Sequence, residues 1–98
     1  MSKEEVLQML KSVYDPEIGI DIVNLGLIYR VDISEDGKGI EVDMTLTSLG
    51  CPLGPFLMNA VEEILKSKFE KVKLNLVFEP PWTPEKISDE GKQALGIL

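Results

Sequence analysis

The stretch that decides the fold is Leu27 to Leu46, "LIYRVDISEDGKGIEVDMTL". Leu27, Tyr29, Val31 and Ile33 recur with period two, opposite Arg30 and Asp32, as in a strand with one face buried. Ile40, Val42, Met44 and Leu46 repeat that pattern against Glu41, Asp43 and Thr45. Between the two runs lies "SEDGKG", whose Asp36-Gly37 pair is a strong turn signal. The stretch predicts an antiparallel hairpin with one apolar face, and that face must be covered by other elements of the chain.

Working outward supplies the cover. At the N-terminus, Ser2 with Glu5 has the spacing of a capping box. Val6, Leu7, Leu10, Val13 and Tyr14 follow at helical spacing, predicting a helix that runs on until Pro16 stops it. On the other side, Leu57, Val61, Ile64 and Leu65 line one face of a second helix, with Glu62, Glu63 and Lys66 opposite. Val72, Leu74, Leu76 and Phe78 alternate as a third strand, ended by "PPWTP". Thr83-Pro84 opens a short helix, and Ser88 caps a last one ending near Gly96. The order α-β-β-α-β-α, with strands polar on one face, predicts an α+β two-layer sandwich: a three-stranded mixed sheet with helices on one face. A right-handed crossover makes the third strand parallel to the second. Periodicity leaves the position of the first strand open.

The 98 residues match one compact domain, spanning 1–98. Ten basic against 17 acidic residues give a net charge of -7, which argues against nucleic acid or an anionic membrane as partner. No apolar run reaches the roughly 20 residues of a membrane span. With no signal-peptide pattern and a single cysteine, the cytoplasm is the expected location. Histidine is absent, so Ser-His and Cys-His catalysis within the chain are excluded.

The one thiol lies in "TLTSLGCPLGPFL", residues 45–57, between the second strand and the second helix. Two registers are open: Cys51 as N-cap with Pro52 at N1, or Gly54 as cap with Pro55 at N1. Either sets the sulfur within about one turn of free helix N–H groups. A helix terminus contributes roughly 0.3–1 kcal/mol, too little to ionise most of a thiol that titrates near ~8.5. A self-sufficient thiolate catalyst is therefore disfavoured, whereas a metal or cluster would deprotonate a coordinating thiol outright. The competing reading is a small buried cysteine. Asp15 and Glu17 in "DPE" are either a turn opener with a solvated neighbour or carboxylates placed near the thiol. Thr47 and Ser48 either complete the turn or present hydroxyls beside Cys51. Trp82, stiffened by neighbouring prolines, closes a core edge or anchors a partner.

"DPEIGIDIVNLGLIY", "MTLTSLGCPLGPFL" and "VFEPPWTPEKISDEGKQALG" together resemble the SufT/PaaD-like family of metal–sulfur (iron–sulfur) cluster assembly proteins, a domain of unknown function numbered 59. The likeness runs over nearly the whole chain. It implies that Cys51 is the family's reactive cysteine, with Asp15, Glu17, Thr47 and Ser48 beside it, and that Pro80, Pro81 and Trp82 match its Pro-Pro-Trp stretch. Leu49 stands where the family often has proline. The extra C-terminal cysteines of the phenylacetate type and a P-loop are both absent. The function implied is non-catalytic maturation of iron–sulfur proteins, with Cys51 as ligand or transfer thiol. The cargo would be a transient iron–sulfur cluster, or iron, shared across a homodimer or with a partner, because one thiolate cannot complete the usual four-cysteine ligation. Partners would be assembly proteins and client apo-proteins. The alternative is an adaptor in which Cys51 is structural and the Pro-Pro-Trp loop docks clients.

Overall fold

The computed structural model describes residues 1–47 and 53–96. Helix α1 is Lys3–Leu10, strands β1 and β2 are Ile28–Ile33 and Gly39–Met44, helix α2 is Gly54–Lys66, and strand β3 is Lys71–Leu76. A 3-10 turn at Pro84–Lys86 and helix α3, Asp89–Leu95, complete the chain. The sheet order is β1-β2-β3, with β1 antiparallel and β3 parallel to the central β2. The expected α+β order and mixed sheet are observed, and the first strand sits at the edge.

Local chemistry explains most of the elements. The Ser2 hydroxyl accepts from the Glu5 N–H at 3.2 Å, and the Glu5 carboxylate accepts from the Ser2 N–H at 3.1 Å. This closes the capping box and holds the Glu5 carboxyl below its usual range. In the hairpin turn, Gly37 takes φ +73°, and Asp36 accepts from the Lys38 N–H and the Ser34 hydroxyl. Ser88 caps α3 through the Gly91 N–H, and Gly96 ends it at φ +76°.

The core lies between the helices and the inner sheet face. Val6 and Leu10 of α1, and Leu57, Val61 and Leu65 of α2, close over Ile40, Val42 and Met44 of β2. Each such side chain contributes about 1.5–3 kcal/mol of transfer free energy, an upper range because unfolded chains already bury some surface. On the outer face, the Arg30 Nε donates to Asp43 Oδ2 at 2.9 Å, and the guanidinium also faces Glu41 at 3.1 Å. The Asn75 amide donates to both Glu41 and Asp43, at 2.7 and 2.8 Å. These bonds hold both carboxyls below their usual range, Glu41 chiefly through Asn75 and Asp43 chiefly through Arg30.

Three expectations are corrected. Helix α1 ends at Leu10 rather than running to Pro16, and Tyr14 forms a bridge with Asp21 instead of a helical turn. Asp15 precedes a proline and is driven towards extended backbone, and the Ile22 N–H then donates to the Val13 carbonyl at 2.9 Å. Tyr14 is accordingly 55% exposed. Second, Tyr29 does not share the inner face: a bulge between Ile28 and Arg30 pairs Ile28 with the buried Met44 and Arg30 with Asp43. Third, β3 ends at Leu76, which is exposed although it falls in the apolar alternation. Strand β2 likewise ends at Met44, ahead of the expected Leu46.

Candidate functional site

The C-terminal ends of β2 and β3 lie at the end of the sheet where β1 begins, since Met44 pairs with both Ile28 and Leu76. Residues 45–53 continue the chain from this end into α2. The N-cap of α2 is Leu53, without a side-chain cap, so the helix opens on Gly54 with Pro55 second. That places the start one residue ahead of the second of the two expected registers and excludes the first. Gly54 packs against Leu46: a Cβ there would lie 2.7 Å from the Leu46 Cδ1, so a larger residue would push that side chain aside. Ser48 and Cys51 lie outside the described residues.

Of the site residues named from sequence, Asp15 is buried, and its Oδ1 accepts from the N–H groups of Glu17 and Ile18 at 2.9 and 3.2 Å. The carboxylate therefore shapes the Asp-Pro-Glu turn from within. Glu17 points outward and is exposed. Tyr14, one residue earlier, lines a groove of roughly 430 Å³ with Phe56, Ala60 and Ile64 of α2, and Glu63 also borders it. The groove puts the arm that carries Asp15 and Glu17 alongside α2.

Thr47 is half-buried at the strand end. Thr45, two residues earlier, is fully buried, and its Oγ1 has no hydrogen-bond partner among the described residues. It stands beside Tyr29, whose hydroxyl donates instead to the Pro80 carbonyl at 2.7 Å. Burial pushes the Tyr29 phenol up, against the opposing effect of Thr45.

The Pro-Pro-Trp stretch is fastened to the same end. The Trp82 Nε1 donates to the Leu25 carbonyl at 2.7 Å, and the half-buried ring packs on the core. Beyond it, the Ser88 hydroxyl donates to Asn24 Oδ1 at 2.6 Å, and the Ser88 N–H donates to the Asn24 carbonyl at 2.8 Å. Asn24 is held in turn by the buried Asp21, which accepts from its backbone and side-chain N–H groups. Lys86 sits over the Tyr29 ring, 5.2 Å from its centroid. Gly26, at φ +80°, lets the Lys86 carbonyl come so close that a Cβ would lie 2.3 Å from its oxygen.

Two features here are not among those expected from the sequence, the clasp between residues 80–91 and the 21–29 turn, and the exposed Tyr14–Phe56 pair. The Asp21-x-x-Asn24 spacing, an Asx-type turn, was the available signal for the first. Among the described residues, no three His, Cys, Asp or Glu side chains come together as a metal site.

Residues 3–75 match the family model described as "Iron-sulfur cluster assembly protein". The chain is 46% identical over 97 residues to the "Fe-S protein maturation auxiliary factor YitW" of Bacillus subtilis, covering 97% of this chain and 94% of that one. It is 47% identical over 87 residues to the "Fe-S protein maturation auxiliary factor SufT" of Staphylococcus aureus, covering 87% and 98%. In three dimensions it is similar to a solved domain of unknown function 59 from Bacillus anthracis, with a TM-score of 0.90 and 37% identity over 98% of this chain and 92% of that one. A conserved hypothetical protein of Thermotoga maritima gives a TM-score of 0.81 and 40% identity, over 98% and 95%. With the family model spanning most of the chain and relatives this similar over nearly their whole lengths, the chain belongs to the iron–sulfur cluster assembly protein family.

Proposed function

We propose that this chain is a non-catalytic maturation factor for iron–sulfur proteins, acting in the cytoplasm, with Cys51 as the ligand or transfer thiol for a transient cluster or iron. The observation that carries this reading is the near full-length similarity, at 46–47% identity, to proteins named as Fe-S protein maturation auxiliary factors. The cluster is cargo, and its remaining ligands come from a second copy or from an assembly or client protein. One thiolate cannot complete the usual four-cysteine ligation, and a labile, shared site favours transfer. In this reading Asp15 builds the turn that presents Glu17, while Thr47 and Ser48 lead the chain to Cys51. Trp82 holds the loop through its bond to Leu25, leaving the exposed Pro80 and Pro81 to face a partner.

Anaerobic reconstitution with iron and sulfide tests the ligand role. Wild type is expected to develop a cluster chromophore and to support activation of a client apo-enzyme, and Cys51→Ala to do neither. Equal iron uptake and equal client activation by the two proteins would refute it.

A further inference from the structure

Strand β3 is an open edge whose amides point outward in a regular row. The Lys71 N–H donates to the Lys38 carbonyl and the Val77 N–H to the Met44 carbonyl, both on the β2 side. In a parallel ladder every second residue faces its neighbour, so Val72, Leu74 and Leu76 turn their N–H and C=O groups away from β2. Among the described residues nothing bonds to these groups. The opposite edge, β1, cannot offer the same row, because its bulge between Ile28 and Arg30 breaks the alternation. Leu76 meanwhile leaves a large apolar side chain 41% exposed on the β3 edge.

We propose that this edge pairs with β3 of a second copy of the chain, antiparallel and about a two-fold axis at Leu74, to make one sheet continuous across both copies. In that register each outward N–H of one copy meets an outward C=O of the other, and residues on matching faces stand opposite each other. Leu74 faces the partner's Leu74, and Leu76 faces the partner's Val72, which covers the exposed leucine with an apolar neighbour. On the polar face Lys73 stands opposite the partner's Asn75. The Asn75 amide lies between the Glu41 and Asp43 carboxylates, so each Lys73 ammonium is brought towards the acidic pair of the other copy. Within its own chain Lys73 has only a loose contact to Glu41 at 3.8 Å, with a side chain 72% exposed. The local charges are thus complementary although each chain is net negative. The pairing rests on β3 and is independent of the role given to Cys51, because the antiparallel register sets the two C-terminal ends of β2 at opposite ends of the joined sheet.

Sedimentation equilibrium of the metal-free full chain over a concentration series tests the pairing without involving iron. Wild type is expected to show a monomer–dimer equilibrium, and Lys73→Glu to weaken it by about tenfold or more, less so at high salt. Leu76→Lys should give monomer at the same concentrations with an unchanged far-ultraviolet spectrum. Hydrogen exchange provides a readout in wild type itself: the Val72, Leu74 and Leu76 amides should gain protection as concentration rises. A wild type that is monomeric throughout overturns the proposal, as does a dimer indifferent to both substitutions or one whose three amides exchange freely.

Discussion

Replacing Gly26 by alanine should loosen the clasp between the 80–91 segment and the 21–29 turn, and Gly19→Ala is its matched control. Both glycines have nearly the same backbone, φ +80° and +82°. An alanine in this left-handed region costs about 1–2 kcal/mol, offset by roughly 0.4–1 kcal/mol from a less flexible unfolded chain. Gly19 has nothing within 4 Å of its would-be Cβ, so its variant should lose about 1 kcal/mol or less. At Gly26 the Cβ would lie 2.3 Å from the Lys86 carbonyl oxygen, a backbone atom that moves only if the 3-10 turn moves with it. That displacement endangers the Trp82–Leu25 and Ser88–Asn24 hydrogen bonds, each contributing about 0.5–1.5 kcal/mol. The expected loss for Gly26→Ala is therefore about 2–4 kcal/mol, and at about 4–8 °C per kcal/mol its melting temperature should fall well below that of Gly19→Ala. Urea unfolding followed by circular dichroism measures the difference. Trp82 is the only tryptophan, so its fluorescence reports on the clasp directly and should shift towards a wetter environment in Gly26→Ala alone. Equal losses for the two variants, with unchanged tryptophan emission in both, would refute the reasoning.

Two further predictions use charge. The Tyr29 phenol is raised in the folded state, so its contribution is complete below the unfolded value near ~10 and is lost as pH rises through the folded value; Tyr29→Phe should flatten the alkaline decline in stability measured by urea unfolding. Asp43 and Glu41 are lowered, so their contribution is present above about pH 4 and is lost as pH falls through the folded values. Asp43→Asn should be less stable than wild type at neutral pH and show a shallower acid decline, a result checked by melting temperature against pH.

Much of the candidate site was legible in residue type. Asp15 before Pro16 announces a turn, and the structure shows that turn held by the Asp15 carboxylate itself. The Ser88 cap and the Gly96 stop of α3 were equally plain. Tyr14 and Tyr29 leave the faces their spacing predicts because the helix ends at Leu10, well before Pro16, in one case and a bulge interrupts the strand in the other. The apolar period runs unbroken through both points.

What the sequence determined by itself are the elements and their order: the Ser2–Glu5 box, the Asp36-Gly37 hairpin, the Leu57–Val61–Leu65 stripe and the parallel third strand. Caps, turns and periodicity act over a few residues, so their physical causes can be read from neighbouring letters. Tertiary structure alone decided that β2 is central, that Thr45 is buried beside Tyr29, and that residues 80–91 fasten onto the 21–29 turn. Those outcomes rest on hydrogen bonds between residues far apart in the chain, Tyr29 to Pro80 across 51 positions and Trp82 to Leu25 across 57. Such bonds form only once the hydrophobic core has brought the segments together, and no local pattern encodes which carbonyl a distant tryptophan will meet.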